Sequence, residues 1–126
     1  MAVIGVGIDI VPIARVESLL ARHGERALRR LFTEGEQAYA RGMASPALHL
    51  AARIAAKEAT YKALSGDELA RGISWRDIEV ERLSDGRPVL RLHGAAAVRF
   101  AALGARSSHI SLTHAGGVAA AVVVIE

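Results

Sequence analysis

The chain has 126 residues, 52% of them apolar, a formal net charge of +3 and no cysteine. That length carries one folded domain with a real core, and the missing cysteine excludes disulfides, thiolate metal sites and a cysteine nucleophile. The start, MAVIGVGIDIV, has no basic segment ahead of its apolar run, and no run reaches about 18 apolar residues, so neither a signal peptide nor a membrane span is predicted and a cytoplasmic protein is the expectation.

Val3 to Val11 reads as a buried strand of β-branched residues and glycines. Its period of two places Ile4, Val6, Ile8 and Ile10 on one face and Gly5, Gly7 and Asp9 on the other. The glycines clear room for a bulky neighbour, a helix or a ligand, beside Asp9, unless that acid merely bonds backbone amides at the strand end. Pro12 opens a helix with an apolar stripe of Ile13, Val16, Leu19 and Leu20, edged by Arg15 and Arg22 and closed at His23-Gly24. A short helix follows from Glu25 to Phe32 with Arg26, Arg29 and Arg30 outward, and Thr33 with Glu36 forms a capping box for a third. Ser45-Pro46 starts a long central helix that runs to Leu64.

The central helix ends in RIAAKEATYKAL, Arg53 to Leu64, which holds both lysines of the chain, Lys57 and Lys62. At about 100° per residue Glu58 and Lys62 share one stripe and Arg53 and Lys57 another, while Ala52, Ala55, Ala56, Ala59 and Ala63 leave a face that a backbone can approach closely. Glu58 with Lys62 is either a surface ion pair or part of a site. Beyond this helix, Asp77 to Leu83 and Val89 to His93 alternate around Ser84-Asp85-Gly86 as a hairpin, and Ala95 to Leu103 is helical. His109 to His114 alternates, Gly116-Gly117 makes a tight turn, and Val118 to Ile125 is a strand apolar on both faces. The sum is a single α+β domain, residues 1–126, with a mostly antiparallel sheet packed on the central helix.

Of 16 basic residues 14 are arginine, and five lie between Arg15 and Arg30, which suits an anionic partner: nucleic acid, a phosphorylated ligand or an acidic protein. One Trp, two Tyr and two Phe leave little for base stacking. HExxH, GxSxG, GxxxxGK[ST] and a helix-opening GxGxxG are all absent, which removes zincin, serine-hydrolase and common nucleotide-fold readings. A hard-metal site remains. Magnesium takes one or two carboxylates and completes its shell with water and phosphates. Asp9 and Glu58 could supply the pair, with Arg53, Lys57 and Lys62 neutralising phosphates during phosphoryl-type transfer. A nucleic-acid-binding domain and an inactive structural trimer are the competing classes.

GVGIDIVPIARV at the start, RIAAKEATYKAL in the middle, the WRDIEVERLSDGRPVLRLHG hairpin and HISLTH before the last strand, in that order, resemble the holo-acyl-carrier-protein synthases, small 4′-phosphopantetheinyl transferases. The resemblance implies that fold, and magnesium-dependent transfer of phosphopantetheine from coenzyme A to a serine of an apo acyl carrier protein, releasing adenosine 3′,5′-bisphosphate, with fatty-acid biosynthesis and lipid metabolism as the setting. It implies Asp9 and Glu58 as metal ligands and Lys62 beside the scissile phosphate. It also implies Arg53, Lys57, Lys62 and His109 around the coenzyme A phosphates, and Arg15, Arg22 and the neighbouring arginines as the docking surface for the acidic carrier, distant from those phosphates. A homotrimer with sites between subunits, and neither nucleic acid nor membrane as partner, follow from the same likeness. Two departures stand out: Ile54 where the family often has an aromatic, and Ser65-Gly66-Asp67 in place of a GTG-like loop.

Overall fold

In a computed structural model of the chain, which describes residues 2–64 and 72–126, β1 spans Gly5–Pro12 and runs straight into α1, Ile13–Leu31. Gly24, with φ 49° and ψ −128°, is not helical, so α1 consists of two helical segments that meet at the break expected at His23-Gly24. Then come α2, Glu34–Arg41, and α3, Pro46–Leu64, followed by a 3-10 turn at Trp75–Asp77. The second half holds the hairpin β2, Ile78–Arg82, and β3, Pro88–Leu92, then α4, Gly94–Ala102, and the hairpin β4, Ser108–Ala115, and β5, Val118–Ile125. The loop Ser65-Gly66-Asp67 lies outside the described residues. Among those described, no helix is long and apolar enough to cross a membrane.

Among the described residues all strand pairs are antiparallel, but they form two sheets rather than one: β1-β5-β4 and, separately, β2-β3. Gly116 and Gly117, at φ 58° and 82°, join β4 to β5 in the left-handed region that a two-residue hairpin turn demands. α3 packs across the inner face of the larger sheet. Its Ala51, Ala55, Ala56, Ala59 and Ala63 are buried together with Val11, Ala119, Ala121, Val123 and Ile125. Small side chains on both surfaces bring the helix close to the strands, which is the use the alanine face suggested.

The outer face departs from expectation. β1 is not buried on both sides: Val6, Ile8 and Ile10 are 59%, 62% and 60% exposed in the single chain. Their ladder partners Val124, Val122 and Ala120 continue the same apolar surface on β5. Alternation placed these residues on one face correctly, but nothing among the described residues covers that face.

Candidate active site

β1 and α3 run antiparallel with spacings that stay in step, since two strand residues advance about 6.6 Å and four helix residues about 6.0 Å. A Cβ on Gly5 would stand 2.1 Å from the Ala63 carbonyl oxygen, and one on Gly7 would stand 1.8 Å from that of Ala59. No side chain fits at either position, which is why the strand needs glycine there. Asp9 is the next residue on that face, one helical turn further toward the start of α3, where the side chains of Glu58 and Lys62 reach it.

Lys62 Nζ donates to Asp9 Oδ1 at 2.9 Å and to the Ile8 carbonyl at 3.0 Å. Glu58 lies against the same carboxylate. Burial, then a hydrogen bond with Asp9 and the repulsion of its charge, push Glu58 up to about 7, against the opposing pull of Arg15 and Lys62. Burial also works to raise Asp9, but hydrogen bonds with Glu58 and Lys62 and the charge of Lys62 leave it below the ordinary carboxylate range. Below about 7 the pair thus shares one proton between two acids, and above it both are ionised. With both acids ionised, Asp9 Oδ2 is a buried oxygen with no hydrogen-bond partner, an arrangement that costs free energy until a cation or proton meets it. Two hard oxygen donors, one of them orphaned, fit a magnesium ion. Among the described residues no cluster of three or more His, Cys, Asp or Glu could hold a metal, so a centre built wholly from protein ligands is not what this site offers.

A cavity of about 390 Å³ opens beside the pair, walled by Glu58, Tyr61 and Lys62 from α3 and by Ile73, Ser74 and Trp75 from the segment leading into β2. Trp75 also lines a groove along α1 with Arg15, Leu19 and Arg22, and a neighbouring hollow with Arg26 and Arg30. Sequence reasoning missed Trp75. Its only signal was being the sole tryptophan, and its place between the two surfaces exists only once α1 packs near the turn.

The remaining expected site residues are placed elsewhere. Lys57 contributes its stem to the cavity wall, but its ammonium is buried, donating to Glu36 Oε1 at 2.8 Å, to the Trp75 carbonyl at 2.8 Å and to the Ile78 carbonyl. An ammonium has three donors and all three are used, so in this structure none is left for a phosphate. Arg53 is buried with its guanidinium 4.2 Å from the centre of the Tyr39 ring and one nitrogen donating to the His49 carbonyl. It stands on the stripe of α3 that it shares with Lys57, away from Asp9. His109 points to the outer face, in the ladder row of Val124 and Val6, with Nε2 2.6 Å from Glu126 Oε1. The structure therefore gathers Asp9, Glu58 and Lys62, and does not bring Arg53, Lys57 or His109 to them within one chain. Arg15 is nearer the pair than expected, because its charge acts on Glu58.

A sequence model of the 4′-phosphopantetheinyl transferase superfamily matches residues 5–123. The chain belongs to that family and is a transferase. Its relatives within the family are holo-[acyl-carrier-protein] synthases: the chain is 48% identical over 128 residues to that of Methylobacterium sp. (strain 4-46), covering 98% of this chain and 94% of the relative. It is 49% identical over 126 residues to that of Frankia casuarinae, covering 100% and 99%. Among solved structures, the Mycobacterium tuberculosis acyl carrier protein synthase superposes with a TM-score of 0.75 at 42% identity, over 99% of this chain and 98% of that one. The Helicobacter pylori holo-[acyl-carrier-protein] synthase in complex with coenzyme A superposes with a TM-score of 0.81 at 30% identity, over 96% and 99%.

Proposed function

We propose that this chain transfers the 4′-phosphopantetheine arm of coenzyme A to a serine of an apo acyl carrier protein and depends on magnesium. The observation that carries the reading is the Asp9–Glu58 pair, with its orphaned buried oxygen and adjoining Lys62, at the edge of a cavity. The names of its relatives and the coenzyme A bound to the H. pylori structure support the same substrate. Asp9 and Glu58 would hold the magnesium ion, which when bound neutralises charge on the pyrophosphate. Lys62 is half exposed, so its ammonium reaches outward from Asp9 and can meet a phosphate oxygen as charge develops there. In the transfer, the serine oxygen forms a bond to the β-phosphorus, the bond from that phosphorus to the oxygen bridging to adenosine 3′,5′-bisphosphate breaks, and the hydroxyl proton leaves to solvent or a nearby base. Purified chain with magnesium, coenzyme A and an apo carrier should yield a carrier heavier by one phosphopantetheine arm. An unchanged carrier mass would overturn the reading.

The carrier's surface is proposed along α1. Arg15 and Arg22 line one groove and Arg26 and Arg30 the adjoining hollow, both ending at Trp75 beside the cavity. These planar, permanently charged donors suit the carboxylates of an acidic helix. Because Arg15 also acts on Glu58, the cleaner test uses Arg22→Glu with Arg26→Glu. The KM for the carrier should rise about tenfold or more, near 1.4 kcal/mol, while that for coenzyme A moves little. Equal loss toward both substrates would place these arginines in the fold or the reacting site instead.

A homotrimer is part of the same proposal, supported by the uncovered apolar face of β1 and β5. His109 lies in the edge row of that face, so assembly is what could carry it toward a site shared between subunits.

A further inference from the structure

Glu36 lies wholly inside the protein and Lys57 nearly so. Glu36 Oε1 accepts from the Thr33 amide at 2.9 Å and from Lys57 Nζ at 2.8 Å, and its Oε2 accepts from the Val80 amide at 2.9 Å. Lys57 in turn donates to the carbonyls of Trp75 and Ile78. One carboxylate thus joins the start of α2 to β2, and one ammonium joins it to both ends of the Trp75–Asp77 turn. On its other side the turn is held by Asp77, whose Oδ2 accepts from the Ser74 amide at 3.0 Å and whose carbonyl accepts from the His93 amide at 2.7 Å. Ser74 and Trp75 wall the same cavity that the stem of Lys57 and its neighbour Glu58 line from α3.

We propose that Lys57 is a positioning residue for the reaction: through its buried pair with Glu36 it fixes the Trp75 turn as the wall of the coenzyme A cavity, and it does not itself contact the phosphates. The inference rests on the coenzyme A reading of that cavity. A lysine whose three donors end on Glu36 and two turn carbonyls acts on the cavity through backbone position. An α3 tied to the turn at Lys57 and facing Asp9 at Glu58 sets the distance between the carboxylate pair and the opposite wall.

Two variants and the sole tryptophan test this. Glu36→Gln keeps the size and leaves Lys57 in place, and Glu36→Gln with Lys57→Met removes both buried charges together, avoiding the uncompensated ion that either charge would be alone. Circular dichroism establishes that each is folded. Fluorescence emission and acrylamide quenching of Trp75 then report the turn, and titration with coenzyme A reports the cavity. Both variants should show a red-shifted, more quenchable Trp75 and a coenzyme A Kd raised about tenfold in the double variant and less in Glu36→Gln, with kcat at saturating coenzyme A within about threefold in Glu36→Gln. If Lys57 were a phosphate ligand, Glu36→Gln would leave coenzyme A affinity intact or tighter, and the double variant would lose affinity with Trp75 emission unchanged; either result overturns the proposal. Unchanged emission and unchanged affinity in both folded variants also overturn it. Wild-type chain that binds no coenzyme A refutes the substrate reading, while the Trp75 shift still reports whether the tie exists.

Discussion

Glu58→Gln is expected to lower kcat by about 100-fold or more, a loss near 2.7 kcal/mol of transition-state stabilisation, in a chain that stays folded and no longer gains stability from magnesium. Gln keeps the shape of Glu58 but removes its anionic charge beside the orphaned Asp9 Oδ2. Wild-type chain should gain about 1.4 kcal/mol at ten times the magnesium Kd, a rise of roughly 5 °C in Tm for a domain of this size. Without metal the same variant has an opposite signature. Glu58 binds its proton up to about 7 in the fold against 4.5 ordinarily, so between those values the folded chain holds a proton that the unfolded chain has released. Wild-type stability in chelator must therefore fall as pH rises through that window and then level off. Asp9, shifted the other way, contributes above its unfolded value and loses that contribution as pH falls through its lower folded value. Glu58→Gln carries no raised acid, so in chelator it should melt above wild type at about pH 8, with the gap closing toward about pH 5. A Gln variant that responds to magnesium like wild type, or turns over normally, would show that the metal ligands lie elsewhere.

The carboxylate pair was legible in the sequence because backbone geometry wrote it there. Glycines at 5 and 7 on the face of Asp9, and alanines at 55, 59 and 63 on the helix of Glu58, are complementary demands for close approach, and the structure joins them as Gly5 to Ala63 and Gly7 to Ala59. Periodicity likewise placed α3, the hairpins and the capping box of Thr33 and Glu36, which forms with both of its hydrogen bonds. The second occupation of Glu36 was not legible. A capping box already explains a Glu at that position, while its partners Lys57 and Val80 lie 21 and 44 residues away and meet it only after α2, α3 and β2 have packed. The enclosure of the Lys57 ammonium was not legible either, because helical spacing separates it from Glu58 by one step of about 100° without saying that the next element would enclose it. Division into two sheets could not be read from strands alone either, since alternation assigns faces and not neighbours across the fold.

Val6→Glu with Val122→Glu is expected to convert the proposed trimer into monomers and to abolish the proposed transfer with it. Val6 is 59% exposed in the single chain and Val122 is only partly buried, its ladder partner Ile8 being 62% exposed. A charge at these positions therefore meets water in an isolated subunit and costs the fold little. In an assembly that covers the face, each substitution forfeits about 1.5–3 kcal/mol of apolar burial and adds an unpaired carboxylate to a dry contact. With both changes repeated in every subunit the sum exceeds what holds a small oligomer together at micromolar concentration. Activity should fall with assembly because one chain alone does not bring Arg53 or His109 to the Asp9–Glu58 pair, whereas a site shared between subunits can draw on a neighbour. Light scattering across a concentration series, with circular dichroism as the control for folding, reads the first effect and a carrier-modification assay the second. Wild-type chain that scatters as a monomer at every concentration would end the assembly proposal, and a fully active monomeric variant would show that each chain completes its own site.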